Sequence, residues 1–196
     1  MIIWLNGAWG SGKTTTATEL YKRLPGSMIY DPEEAGFFIN KVLPKELHQS
    51  DFQDFKEWRK INVQLLKKLA NDFDGDIIVP MTLINPLYVE EIIGELSQSN
   101  VEIYHFILET TPQTLNQRLD KRFEGKKSWA RERVGIAVSS LIELEGAKRI
   151  KTDDLSIEEV LDQITKETNI KLLDDNRSAF KKKIDRVLLS LKEKVI

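Results

Sequence analysis

Gly7-Ala8-Trp9-Gly10-Ser11-Gly12-Lys13-Thr14 follows directly on the apolar run Met1-Ile2-Ile3-Trp4-Leu5. The stretch fits Gly-x-x-x-x-Gly-Lys-Ser/Thr, the phosphate-binding P-loop, which needs a strand before it and a helix at once after it. Both are legible. Ile2 to Leu5 is uninterrupted and partly β-branched, as a strand covered on both faces requires, and Thr14 to Leu24 carries Ala17, Leu20 and Leu24 at helical spacing. Glycine at 7, 10 and 12 lets consecutive N–H groups turn toward phosphate oxygens, and the new helix adds its dipole and free amides. Gly7, Ala8, Trp9, Gly10, Ser11, Gly12, Lys13, Thr14 and Thr15 are therefore the expected cradle for ATP. Lys13 is expected to reach the β and γ phosphates, and the Thr14 hydroxyl to ligate Mg²⁺.

A chain of 196 residues, 41% hydrophobic and 31% charged, suits one globular α/β domain with a good core. Its net charge of −2 gives no reason to expect nucleic acid as the partner. With no cysteine, disulfides and thiolate metal sites are excluded, and His48 and His105 alone leave little for zinc. His105 falls in the strand-like run Val101 to Leu108 and reads as a satisfied interior or edge histidine. No secretory signal and no apolar run of spanning length is visible, so a cytoplasmic location is expected.

Outward from the loop, strands and helices alternate regularly, which implies a mostly parallel sheet with helices on both faces. Strands are expected over about residues 1–6, 27–30, 76–81, 101–108 and 149–151. Helices are expected to about residue 24, then over about 32–42, 51–72, 86–97, 114–123 and 130–146. A further helix opens at Ser156, where Ser156-Ile157-Glu158-Glu159 forms a capping box. The kinase-like domain is expected to occupy residues 1–175, with a lid at about 123–133 and a basic amphipathic helix over 176–196.

Ligands of such sheets bind beyond the carboxyl ends of the strands, which ranks the remaining candidates. Asp31 follows the second strand and could take a proton from a substrate hydroxyl. The same residue with Pro32 and Glu34 also fits the start of a helix. Thr82 follows the third strand, where many P-loop proteins carry a carboxylate for Mg²⁺; here there is none. Arg118 and Arg122 share a helix face at i, i+4, and with Arg131 and Arg133 they flank the lid. There they could neutralise charge on a transferred phosphoryl group, or form a solvated basic face. Phe37, Phe38, Phe52, Phe55, Trp58 and Arg59 lie between the second and third strands, where a small acceptor would sit. Most of these read as core, with Trp58 and Arg59 as candidates for the pocket. Thr152-Asp153-Asp154 either borders the adenine or forms a turn. In the tail, Phe180, Ile184, Val187, Leu188, Leu191 and Val195 share one helical face among seven basic and two acidic residues. Such a helix suits an anionic membrane surface, the domain's own core, or a dimer contact.

Beyond the loop, Tyr30-Asp31-Pro32, Asp51-Phe52-Gln53, Trp58-Arg59, Val79-Pro80-Met81-Thr82 and Lys127-Ser128-Trp129-Ala130 together resemble the bacterial tunicamycin-resistance protein family. The resemblance covers nearly the whole chain. It implies an ATP-binding protein of the nucleoside and shikimate kinase fold, a three-layer sandwich whose five-stranded parallel sheet has the order 2-3-1-4-5. It also implies resistance to the nucleoside antibiotic tunicamycin and a pocket for a uracil-containing, lipid-bearing ligand. The expected acceptor contacts are Asp31, Trp58, Arg59 and Thr82, and the expected catalytic groups Lys13, Asp31, Arg118 and Arg122. Phosphoryl transfer to the antibiotic is the leading reading; ATP-dependent sequestration at the membrane, or a general small-molecule kinase, are the alternatives.

Overall fold

The computed structural model describes residues 1–121, 128–178, 180–182 and 184–185. Five strands form one sheet in the order β2-β3-β1-β4-β5: β1 is Ile2–Asn6, β2 Met28–Ile29, β3 Ile77–Pro80, β4 Ile103–Glu109 and β5 Lys148–Lys151. Every neighbouring pair is parallel, and β1 is central, with Ile2 opposite Ile77 on one side and Ile103 on the other. This is the sheet order the resemblance implies.

A central parallel strand must be apolar on both sides, and all five residues of β1 are buried. On one face, Ile3 and Leu5 join Ala17 and Leu20 of α1 (Lys13–Arg23) and Leu161 and Ile164 of α8 (Ile157–Thr168). On the other, Ile2 and Trp4 join Ile39 of α2 (Glu33–Val42), then Trp58, Val63 and Leu66 of α3 (Lys56–Asp72). Ile92 and Leu96 complete that layer from a helical run made of α4 (Pro86–Val89), a π-helical turn (Glu90–Gly94) and α5 (Glu95–Gln98). A third cluster lies above the strand ends, where Ala8 and Ile107 meet Leu115 and Leu119 of α6 (Pro112–Lys121) and Val134 and Leu141 of α7 (Trp129–Glu143).

The helix expected over 51–72 is interrupted. Asp51 accepts the N–H of Gln53 at 3.0 Å and shapes a 3₁₀ turn over Phe52–Asp54. Phe55 then takes an extended conformation, and its ring packs into the core before α3 begins. Local side-chain capture has outcompeted helix propensity here. α8 starts where its capping box requires: Ser156 Oγ accepts from Glu159 N–H, and the Glu159 carboxylate accepts from Ser156 N–H at 2.7 Å.

After α8 the chain returns along α1. Leu173 N–H donates to Arg23 O at 2.8 Å, and Arg23 Nε donates to Leu173 O at 2.9 Å. Arg177 then pairs with Glu19 of α1, a carboxylate only 3% exposed, and with Asp175 and Asp185 at 2.7 and 2.8 Å. Lys182 reaches Asp175 at 2.9 Å and Glu158 at 3.3 Å. These charges turn inward, while Phe180 and Ile184 are 74% and 41% exposed. An ion network therefore ties Arg177 and Asp185 to α1 and Lys182 to α8. Val187, Leu188, Leu191 and Val195 of the expected tail helix lie outside the described residues, as do Arg122 and the lid residues through 127.

Replacing Arg177 by Met would leave the buried Glu19 with only the longer pairing to Lys22 at 3.7 Å, a loss expected to cost about 3 kcal/mol in urea unfolding. Arg177 holds the Asp175 carboxyl far below its usual range, and Arg23 and Lys182 lower Glu158. Such groups stabilise above the unfolded carboxylate pKa of about 4, and the stabilisation is lost as pH falls through their folded values. The wild-type midpoint should therefore fall more steeply with acid than that of Arg177→Met.

Candidate nucleotide and acceptor site

β1 ends at Asn6, whose fully buried amide fastens two loops together. Its Oδ1 accepts the N–H of Gly7 at 2.8 Å and of Leu83 at 2.9 Å, and its Nδ2 donates to Leu83 O at 2.7 Å. Nδ2 also lies 3.3 Å from Nε2 of His105, which is therefore the accepting nitrogen of a neutral ring. Burial and the Arg149 guanidinium hold that imidazole down to about 4. His105 is the satisfied interior histidine expected from its strand.

The loop leaves Asn6 through Gly7, where a Cβ would meet Ser11 Oγ at 2.5 Å. Gly12, at φ +104°, turns the chain into α1 and has open space where a Cβ would stand. Ser11 N–H closes the turn onto Ala8 O at 3.0 Å. No acidic residue occupies the first turn of α1, so nothing offsets the positive end of its dipole. Ser11 Oγ is buried and has no hydrogen-bond partner among the described residues. Lys13 Nζ folds over the loop and donates to Gly7 O at 2.8 Å and Ala8 O at 3.1 Å. An unused hydroxyl, an open glycine, an unmasked helix start and an ammonium within one turn fit a polyphosphate. Among the described residues no group of three or more His, Asp or Glu is placed to hold a metal. Thr14, half-buried in the first turn, and phosphate oxygens are the groups that would hold Mg²⁺.

On the acceptor side, Asp31 stands beyond β2, separated from β1 only by β3. Its Oδ1 accepts from Glu33 N–H at 3.0 Å, so it shapes the entry to α2. Its carboxyl reaches solvent, yet surrounding protein desolvates it and raises its pKa; the Glu33 N–H lowers it in part and Glu34 raises it further. The neighbouring Tyr30 hydroxyl donates to Asn62 Oδ1 at 2.7 Å and is pushed up to about 12, by burial first and Asp31 second. A second carboxylate, Asp51, is also raised by desolvation and faces Arg133 of α7 at 3.6 Å.

Three expected acceptor contacts lie in the interior instead. Trp58 has no exposed surface, and its indole N–H donates to Pro32 O at 2.8 Å. Arg59 pairs with Glu91, donates to Gln53 O, and lies 4.2 Å over the Tyr88 ring. Thr82, 4% exposed, donates its hydroxyl to Gly7 O at 2.9 Å. Helical spacing gave Trp58 and Arg59 a direction but not the depth of the layer covering them. They back the turn over Phe52–Asp54, and Arg59 lines a separate cleft with Lys56, Lys60, Val63, Glu91 and Glu95 that includes no residue of the phosphate loop. What the sequence reading missed is that turn itself: Gln53 Nε2 donates to Thr82 O at 3.1 Å, and Asp51 caps it. An aspartate two residues ahead of the N–H it captures was the available signal.

Arg118 of α6 bridges the loop and the end of β5, through Nη1 to Ser11 O at 3.1 Å and Nη2 to Thr152 O at 2.6 Å. It thus touches the phosphate loop directly. Arg131 holds Asn116 and Asp120 and ties α7 to α6. Asp153 accepts from the N–H and hydroxyl of Thr111, so residues 152–153 form a pinned turn beside the loop. An apolar cavity of about 380 Å³ between α7 and the β4–β5 edge meets the phosphate loop only at Ala8.

Comparison with known proteins agrees with this geometry. The AAA domain family (AAA_33) matches residues 2–143. No curated protein matches the chain. Among solved structures, the tunicamycin resistance protein of Deinococcus radiodurans is 25% identical with a TM-score of 0.75, covering 89% of this chain and 99% of that one. A sugar kinase of Janibacter sp. is 14% identical with a TM-score of 0.64, covering 86% and 94%. The APS kinase of Mycobacterium tuberculosis is 17% identical with a TM-score of 0.57, covering 86% and 96%. These last two share the fold. The chain belongs to the AAA domain family, as a nucleotide-binding P-loop protein of kinase-like fold that is similar along most of its length to a tunicamycin resistance protein.

Proposed function

We propose that this protein binds MgATP and transfers the γ-phosphoryl group to a hydroxyl of a nucleoside antibiotic of the tunicamycin kind, inactivating it by the added charge. The observation that carries the reading is a desolvated carboxylate, Asp31, at the end of β2, one strand removed from the strand that feeds the phosphate loop. Asp31 takes the acceptor hydroxyl's proton, the oxygen bonds to the γ-phosphorus, and the bond to the β–γ bridging oxygen breaks to release ADP. Lys13 moves from the loop carbonyls to the phosphates, and Arg118 supports the loop at Ser11 O. Mg²⁺, held by Thr14 and phosphate oxygens, would neutralise charge between the β and γ groups. Arg122 belongs to the same proposal as a second cation.

A different reading is ATP-dependent capture of the antibiotic without turnover. It is favoured by Thr82 where many P-loop proteins have a metal-binding carboxylate. The outward Phe180 and Ile184 support peripheral contact with a cytoplasmic membrane surface in either case. Among the described residues no helix is long and apolar enough to cross a membrane.

Mass spectrometry after incubation with MgATP and excess antibiotic separates the two. Catalytic amounts of protein yielding a phosphate adduct support transfer; stoichiometric protection of unmodified antibiotic supports capture. Asp31→Asn should lower transfer by about 10²–10⁴-fold and leave MgATP affinity intact, as measured by calorimetry. Because desolvation raises the Asp31 pKa, transfer should fall with acid along a limb above the ordinary carboxylate value of 3.8. Lys13→Ala should weaken MgATP binding and remove transfer together; unchanged affinity would exclude the loop as the phosphate site.

A further inference from the structure

One carbonyl joins the two halves of the site. Gly7 O accepts Lys13 Nζ at 2.8 Å and Thr82 Oγ1 at 2.9 Å. Thr82 is held from the other side, because Gln53 Nε2 donates to its carbonyl at 3.1 Å. Gln53 belongs to the turn capped by Asp51, and Asp51 faces Arg133 of α7. Hydrogen bonds therefore run from the acceptor turn through Gln53 and Thr82 to Gly7 and the loop lysine. Thr82 is 4% and Gln53 7% exposed, so neither bond is open to exchange with bulk water.

We infer that Thr82 and Gln53 are positioning residues that set Lys13 and couple the acceptor turn to the phosphate loop. When Lys13 turns to phosphate, Gly7 O gives up a charge-assisted bond in a buried place, and a carbonyl left bare there opposes the move. The Thr82 hydroxyl keeps that carbonyl satisfied, so Lys13 can leave it. A carboxylate at 82 could not do this, since an ionised acid only accepts. The residue that stands where other P-loop proteins bind metal thus serves the lysine here. Gln53 fixes the Thr82 backbone, so a displacement of the acceptor turn reaches Gly7 through two bonds. This rests on the nucleotide-binding reading and not on the fate of the antibiotic, so its test uses a nucleotide and its nucleoside alone.

Calorimetry on the full chain compares MgATP with adenosine, which has no phosphates for Lys13 to meet. Thr82→Val keeps the shape and removes the donor. It should weaken MgATP about fivefold, the worth of one hydrogen bond, and leave adenosine within about twofold. Thr82→Ser should restore MgATP to within about twofold. Gln53→Met should weaken MgATP by a smaller factor, again sparing adenosine. If Thr82→Val loses its folded circular dichroism spectrum, Thr82→Ala serves for the same comparison. Wild-type MgATP affinity in the hydroxyl-less variant, equal losses for adenosine and MgATP, or no rescue by serine would each overturn the assignment. An unaffected Gln53→Met would overturn the coupling to the acceptor turn.

Discussion

The site depends on the side chain of Asn6. At the end of the central strand the backbone must leave the sheet, and its polar groups must find partners away from water. Asn6 supplies three of them, two for the returning chain at Leu83 and one for Gly7. The phosphate loop and the loop after β3 thereby depart from a common point. Without that fastening, Gly7 would have no fixed direction, and the carbonyl shared by Thr82 and Lys13 would have no fixed place. The neutral ring of His105 closes the arrangement from β4.

From this point the phosphate side and the acceptor side have opposite characters. The phosphate side is prepared for charge: a helix start without acids, an orphaned Ser11 hydroxyl, Lys13 held on nearby carbonyls, and Arg118 across Ser11 O. The proposed acceptor side holds two carboxylates, Asp31 and Asp51, whose ionised forms are disfavoured by desolvation and which each cap a turn. The transfer proposed above would draw on both, an anion-seeking surface and groups able to accept a proton. The interior cations have structural work. Arg59 is occupied by Glu91, Gln53 O and the Tyr88 ring, and Arg177 by three carboxylates.

Beyond α8, the tail turns part of the charge on its described residues toward the domain. Its charged groups Arg177, Lys182 and Asp185 are drawn to α1 and α8, while Phe180 and Ile184 look outward. The buried Glu19 gives the physical cause: a carboxylate removed from water needs cations, and Arg177 joins Lys22 in supplying them. The segment after α8 is thus fastened to the helix that carries the phosphate loop.

The loop, the alternation of strands and helices, the capping box at Ser156 and the positions of Asp31 and Thr82 after their strands were legible in the sequence. Each is a local signal, complete within about ten residues. The fold class followed because a continuous apolar strand before Gly7 and an amphipathic helix after Lys13 leave few other architectures. Tertiary structure alone decided depth and partnership. Trp58, Arg59 and Thr82 looked available because spacing gives a direction along a helix or strand, not the thickness of the layer above it. Asn6 with Leu83, Gln53 with Thr82, and Glu19 with Arg177 are separated by 77, 29 and 158 positions. A hydrogen bond across such a distance leaves no periodic trace in the chain, since only packing of the sheet layers brings its two ends together.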